Sequence, residues 1–169
     1  LAGKVALVTG GGRGIGAAIA QVFARAGAQV LIANRTAAAG DAVAAALCAQ
    51  GLAVQAIGCD IGRRDEAERA VAAAVQAHGA LDIVVHNAAV NRWSRIETMS
   101  DADFEQTFAV NLQACFWLTQ AALPHWRTRG GGRMLVTSSV TGPRVAMPGG
   151  AAYAASKAGV NGFIRSAAL

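Results

Sequence analysis

Tyr153 and Lys157 stand four residues apart in YAASK, a spacing that on a helix puts both side chains on one face. A phenol is a poor proton carrier near neutral pH, but an ammonium group beside it stabilises the phenolate, and the pair then serves as a general acid or base. Tyr153 is the only tyrosine and Lys157 one of two lysines among fifteen Lys and Arg residues. In a chain that otherwise carries its solvated charge on arginine, a lysine here points to a need for a compact ammonium. Upstream, Ser138 and Ser139 end the run MLVTS at what reads as the carboxyl edge of a strand, where open α/β sheets place their ligands. A hydroxyl there can hold a substrate oxygen as charge develops on it, and either serine could serve. A YxxxK pair also arises on ordinary surface helices, so its meaning depends on what accompanies it.

What accompanies it is a glycine-rich turn. Thr9 to Gly16 reads TGGGRGIG, with Gly10, Gly14 and Gly16 in a GxxxGxG spacing and Gly12, Arg13 and Ile15 between them. The apolar run Val5 to Thr9 before it reads as a strand buried on both faces, and Ala17 to Ala26 after it places Ile19, Val22, Phe23 and Ala26 at helical spacing. Glycines let a backbone approach a pyrophosphate closely, and the helix that follows offers free N–H groups and the positive end of its dipole. Glycines also mark ordinary tight turns, but a strand before and a helix after predict dinucleotide binding. Cofactor choice is expected at the end of the second strand, where a carboxylate would grip a ribose 2′-hydroxyl. Asn34 holds that place and Arg35 follows it. A neutral amide beside a cation, with Arg13 near, accommodates a 2′-phosphate and favours NADP(H) over NAD(H), although NAD(H) stays possible.

Strands are further predicted at Gln29 to Ala33, Leu52 to Ile57, Leu81 to His86 and Met134 to Ser138. Helices are predicted at Ala37 to Gln50, Arg64 to His78, from Ser100 to about Trp126 with Pro124 as a weak spot, and from Ala151 onward. Ser100 with Asp103 resembles a capping box with a shortened acid. The alternation predicts one α/β domain over residues 1–169, a doubly wound parallel sheet of Rossmann type. Leu169 falls inside a helical pattern without a closing turn, and the expectation is a fragment of a longer domain.

At 169 residues, 54% apolar and 15% charged, the composition suits a globular domain and excludes a disordered tail. No uncharged apolar run approaches the length of a membrane span, and no signal-peptide pattern precedes the first strand, so a cytoplasmic protein without a membrane partner is expected. The net charge of +5 is dispersed over the chain rather than gathered in a stripe, which argues against a nucleic-acid partner. Cys48, Cys59 and Cys115 show no metal spacing and read as small buried residues of a reducing compartment. His78, His86 and His125 fall on different elements, and no metal is expected.

Together these residues resemble the short-chain dehydrogenase/reductase family: TGGGRGIG is similar to its cofactor signature TGxxxGxG, HNAA at His86 to Ala89 to its NNAG, and YAASK to its YxxxK. The resemblance runs through the whole chain in the family's order. It implies that Ser139 is the catalytic serine, in SSVTG, beside Tyr153 and Lys157. It also implies that Asn111 is the active-site asparagine that holds a water linking Lys157 to solvent, that Asp60 and Ile61 contact adenine, and that Asn87, Ala88 and Ala89 line the cofactor. Tyr153 and Lys157 would also contact the cofactor, the lysine at the ribose hydroxyls. His86 in place of the first asparagine and Ala89 in place of the glycine depart from the pattern and are expected to perturb packing more than chemistry. Family members continue past the last helix into further strands and a substrate-covering loop, without which the sheet would expose an unfinished edge.

The implied activity is reversible hydride transfer between NADP(H) and a small-molecule carbonyl or secondary alcohol. Trp93 and Val140 are expected with Ser139 and Tyr153 in the substrate pocket, whose walls would be Val90 to Trp93 and Val140 to Pro148. Two alternatives stand beside it: a 3-oxoacyl-[acyl-carrier-protein] reductase, with Arg127, Arg129 and Arg133 meeting an acidic carrier, and a non-catalytic nucleotide-binding sensor or scaffold. The family commonly pairs subunits, and Phe104, Phe108, Leu112, Phe116, Trp117 and Leu118 cover more than one helical face. A homodimer or homotetramer is therefore expected.

Overall fold

Val5 to Thr9 carries five apolar or β-branched residues in a row, which only a strand covered on both sides can bury. In the computed structural model, which describes residues 1–168, this strand (β1, Val5–Thr9) is buried at every position and lies at the centre of a five-stranded parallel sheet. Its neighbours are β2 (Gln29–Asn34) and β4 (Ile83–His86), with β3 (Val54–Gly58) beyond β2 and β5 (Arg133–Val136) beyond β4, giving the order β3-β2-β1-β4-β5. Strand order therefore reverses beside β1, between β1 and β4. That reversal opens a crevice at the carboxyl ends of the strands.

Two helical layers cover the sheet. The helices α1 (Gly14–Arg25) and α2 (Ala37–Cys48) contribute Ala20, Ala24, Ala44 and Leu47 to one core with Ala6, Val8, Val30 and Ile32. On the opposite face α3 (Arg64–His78) and α5 (Ala114–Thr128) bury Val71, Ala74, Leu118 and Ala122 against Leu7, Leu31 and Val84. The alternation along β1 is thus read by two cores at once, and each fully buried Leu or Val contributes about 1.5–3 kcal/mol. The last helix, α6 (Ala151–Ala167), packs on α4 (Asp101–Phe108) and on the turn that follows it.

Several expectations shift. The helix after the glycine turn begins at Gly14, not Ala17, and its buried face is Gly16, Ala20 and Ala24, while Val22 is 62% exposed. Small residues let α1 approach the sheet, Ile19 and Phe23 pack half-buried at the margin of that core, and Val22 falls outside it. The long helix is not continuous: α4 and α5 are separated by a π turn at Ala109–Gln113, while Pro124 is accommodated inside α5. Ser100 does cap α4, accepting from Asp103 N at 3.1 Å. β5 stops at Val136, because β4 ends opposite at His86 and only one further bond, Thr137 N–H to His86 O at 3.0 Å, remains. Ser138 and Ser139 therefore sit in the loop beyond the strand. Cys48 is exposed at the end of α2, whereas Cys59 and Cys115 are buried. β5 forms one sheet edge, and Leu135 on it is 44% exposed. Among the described residues no helix is long and apolar enough to cross a membrane.

At the amino edge of the sheet, Asp82 ties three segments together. Its carboxylate accepts from Val5 N at 2.9 Å, Lys4 Nζ at 3.4 Å and Arg129 Nε at 3.3 Å. Burial pushes this carboxyl up, but the Val5 N–H, Arg129 and Lys4 outweigh it and leave it below the usual carboxylate value. A depressed folded value means stability that is complete above the ordinary carboxylate range and lost as pH falls through the lowered value. Both cations are about half exposed, so screening limits the contribution. Asp82→Asn, which keeps the acceptor for Val5, is expected to cost about 1 kcal/mol at neutral pH. Urea midpoints should show that gap closing in acid; a gap independent of pH would contradict the charged tie.

Candidate active site

The glycine turn closes over the carboxyl end of β1. Gly10 takes φ +68°, and a Cβ there would press on the Ala88 backbone at 2.9 Å. Gly16 is tighter still: a Cβ would collide with the Gly10 carbonyl and lie 2.6 Å from Asn87 Nδ2. The turn is thus packed on the 87–88 backbone as closely as glycine permits. Asn34 braces it from the other side, accepting from Gly12 N at 3.3 Å and donating to Thr36 O at 2.8 Å. Its amide is engaged as a strut, and the exposed cations beside it are Arg13 and Arg35.

These segments bound a groove of about 600 Å³. Gly10, Arg13, Gly14 and Ile15 line one side, Asn34 and Arg35 the far end, Asp60 and Ile61 the next loop, and Asn87, Ala88 and Ala89 the near end. Glu66 Oε2 accepts from Asp60 N at 2.7 Å and Asp60 Oδ1 from Gly62 N at 3.1 Å, which fixes the loop after β3. A larger hollow of about 720 Å³ between Asp60 and α4 touches none of Ser139, Tyr153 or Lys157.

Lys157, on α6, is 2% exposed, and burial holds its ammonium below the usual lysine value. Nζ donates to Thr137 O at 2.7 Å and lies 5.7 Å from the Tyr153 ring centroid, so one face of α6 does present both groups together. From Thr137 the path continues: its hydroxyl donates to Asn87 Oδ1 at 3.2 Å, and Asn87 Nδ2 donates to Gly10 O at 3.4 Å. The lysine is therefore connected through two residues to the glycine turn. Ser139 Oγ accepts from Thr141 N at 3.1 Å, which fixes the loop that carries it, while Ser138 Oγ faces the Lys157 carbonyl at 3.5 Å.

Asn111 lies in the π turn, fully buried. Its Oδ1 accepts from Val90 N at 2.9 Å, and its Nδ2 donates to Val90 O at 2.9 Å and Ser156 Oγ at 3.0 Å. The side-chain amide is thus a clasp between the loop after β4, the π turn and α6, with both of its N–H donors in use. Ser156 and Thr137 are not marked by their types, since a Ser directly before Lys157 and a Thr directly before Ser138 look like ordinary polar positions in one sequence; Val90, expected as a pocket wall, is held here through its backbone groups. Trp93 is 52% exposed and Val140 65%; the Trp93 ring rests on Gly150, where a Cβ would come within 2.8 Å, and Ser94 N donates to Gly149 O at 3.0 Å. The loop after β4 thereby meets the start of α6, within about one helical turn of Tyr153.

The short chain dehydrogenase family model matches residues 4–169, and the chain belongs to that family. It is 37% identical over its whole length to Dehydrogenase/reductase SDR family member 4 of Homo sapiens, of which it covers 61%. Among solved structures it is similar to a metagenomic short-chain oxidoreductase in complex with NADP, with a TM-score of 0.94 and 36% identity over 99% of this chain and 76% of that one. A Burkholderia cenocepacia short chain dehydrogenase in complex with NADP gives a TM-score of 0.92 and 38% identity over 99% of this chain and 68% of the other. The chain spans about three-fifths of the length of the curated relatives it matches.

Proposed function

We propose that residues 1–169 form a nicotinamide-dinucleotide domain with its active site built in, which moves hydride between NADP(H) and a carbonyl or secondary alcohol. The observation that carries this reading is the continuous connection from Tyr153 and buried Lys157 through Thr137 and Asn87 to the glycine turn. The groove fits a dinucleotide: Gly10 and Gly16 let the turn lie against the 87–88 backbone, and Gly14 leaves open space beside it at the N-terminus of α1. Gly12, Gly14 and Ile15 would complete the pyrophosphate wall, Asp60 and Ile61 would meet the adenine, and Asn87 to Ala89 the ribose and nicotinamide end. When bound, the nicotinamide supplies or takes the hydride.

The chain's own groups then handle the oxygen and the proton. Ser139 donates to the substrate oxygen, Tyr153 gives it the proton in the reducing direction, and Lys157 stabilises the phenolate that remains. Asn111 fixes the spacing of the π turn from α6, so that a water relay at this turn can restore the proton. Trp93 and Val140 form apolar walls for the substrate. The NADP complexes of both structural relatives support the cofactor choice, as do Arg13 and Arg35 at the mouth of the groove.

The acyl-carrier alternative loses its electrostatic support. Arg133 starts β5 and Arg129 is bound to Asp82, both at the amino edge of the sheet and opposite to Ser139. Self-association is supported by Phe104 and Phe116, which stay 43% and 46% exposed on α4 and α5, and we read the protein as a homodimer or homotetramer. A reducing, cytoplasmic location accords with its free thiols.

Arg35→Ala tests the cofactor choice. Losing a charge-assisted contact to a 2′-phosphate should weaken NADPH binding by about 10- to 100-fold in a fluorescence titration, with NADH within about twofold. Equal losses for the two nucleotides would contradict it.

A further inference from the structure

The segment 86–90, which leaves β4 and lines the groove, is fastened to the π turn at both ends. His86 Nε2 lies 2.9 Å from Val110 O, and four residues on, the Asn111 amide clasps both backbone groups of Val90. Between these ties Thr9 Oγ1 accepts from Asn87 N at 3.2 Å and Ala88 N at 3.1 Å, and it stands 3.0 Å from His86 Nδ1.

Donor chemistry settles where the protons are. A carbonyl oxygen only accepts, so His86 Nε2 carries the hydrogen. The ring is 1% exposed and faces the Lys157 ammonium from α6; burial first, and that charge second, push its pKa down to about 4. The Cys115 thiol, pushed up to about 12 mainly by burial, adds no charge nearby. A neutral ring protonated at Nε2 is an acceptor at Nδ1, so the Thr9 hydroxyl donates to it and turns both lone pairs toward the Asn87 and Ala88 amides. A hydrogen on Nδ1 would instead present three donors to the Thr9 oxygen and leave its own hydrogen without this acceptor.

We propose that His86 is a positioning residue of the hydride-transfer site: its Nε2 end sets the π turn that carries Asn111, and its Nδ1 end orients Thr9 and hence the backbone that receives the cofactor. This rests on the oxidoreductase reading for its kinetic readout alone. The two ends can be separated, because a Gln amide overlays imidazole Nε2 and an Asn amide overlays Nδ1. His86→Gln should keep kcat within about twofold and raise KM for NADPH about tenfold; His86→Asn should do the reverse. Parallel changes in both variants, tracking only their melting temperatures, would overturn the proposal.

Nitrogen NMR of the histidine-labelled wild type, without substrate, gives the second reading. Nδ1 should show an acceptor's shift and Nε2 a protonated one from about pH 8 to about pH 5. A ring that titrates in the ordinary histidine range, or carries its hydrogen on Nδ1, overturns the proposal even if the enzyme is active. If the wild type binds NADPH but shows no turnover, the hydride-transfer reading fails, and the NMR result alone decides the tautomer and with it the role of His86.

Discussion

Tyr153→Phe is expected to lower kcat about a thousandfold or more while the Kd for NADPH stays within about twofold. The substitution removes one oxygen and keeps the ring, so the contact with Lys157 Nζ at 5.7 Å and the packing of α6 on the π turn are retained. What is lost is the phenol hydroxyl, the group to which the proposed mechanism assigns the proton for the substrate oxygen, while Lys157 Nζ keeps its bond to Thr137 O. Single-turnover consumption of NADPH beside an equilibrium titration separates the two quantities. Turnover above about a tenth of wild type would assign the proton to another donor.

Gly16→Ala should act on the other half of the site. The new methyl group would collide with the Gly10 carbonyl and with Asn87 Nδ2, so either the turn lifts from the 87–88 backbone or α1 moves away from the sheet. Overpacking of this kind costs about 1–3 kcal/mol. Because the displaced groups are those proposed to receive the pyrophosphate, NADPH affinity should fall about 10- to 100-fold, and the melting temperature should drop as well. Calorimetric titration and thermal melts read both; unchanged affinity would mean that the turn is not the phosphate cradle.

Where one residue type permits one environment, the sequence and the structure agree closely. Val5–Thr9 is uniformly apolar and could only be a central strand, and Arg64–His78 has acids at its start and Gly79 as its stop, so both coincide residue for residue with the structure. The glycine turn and the Tyr153–Lys157 pair were legible for the same reason: their spacing has a chemical meaning. Less could be read where packing decides. Nothing in AVNLQ marks a π turn at 109–113, because the widened turn is held by partners distant in sequence, Val90 and Ser156. The apolar spacing of Ile19, Val22, Phe23 and Ala26 does not mark the fully buried face of α1, because a close helix–sheet seam selects the small Gly16, Ala20 and Ala24. The strand expected through Ser138 ends at Val136 because its partner β4 runs out at His86, which the local sequence does not show. The type of His86 in HNAA likewise does not show that its two nitrogens meet different partners, Thr9 Oγ1 and Val110 O.

The central claim is tested most directly by mixing the protein with NADPH and a panel of small apolar ketones and acyl thioesters, and following the fluorescence of the reduced nicotinamide. The account predicts steady NADPH consumption with at least one ketone, weaker or none with carrier-linked thioesters, and none with Tyr153→Phe. NADPH that binds in the groove but persists unchanged with every carbonyl in the panel would contradict hydride transfer and leave a nucleotide-binding sensor as the better description.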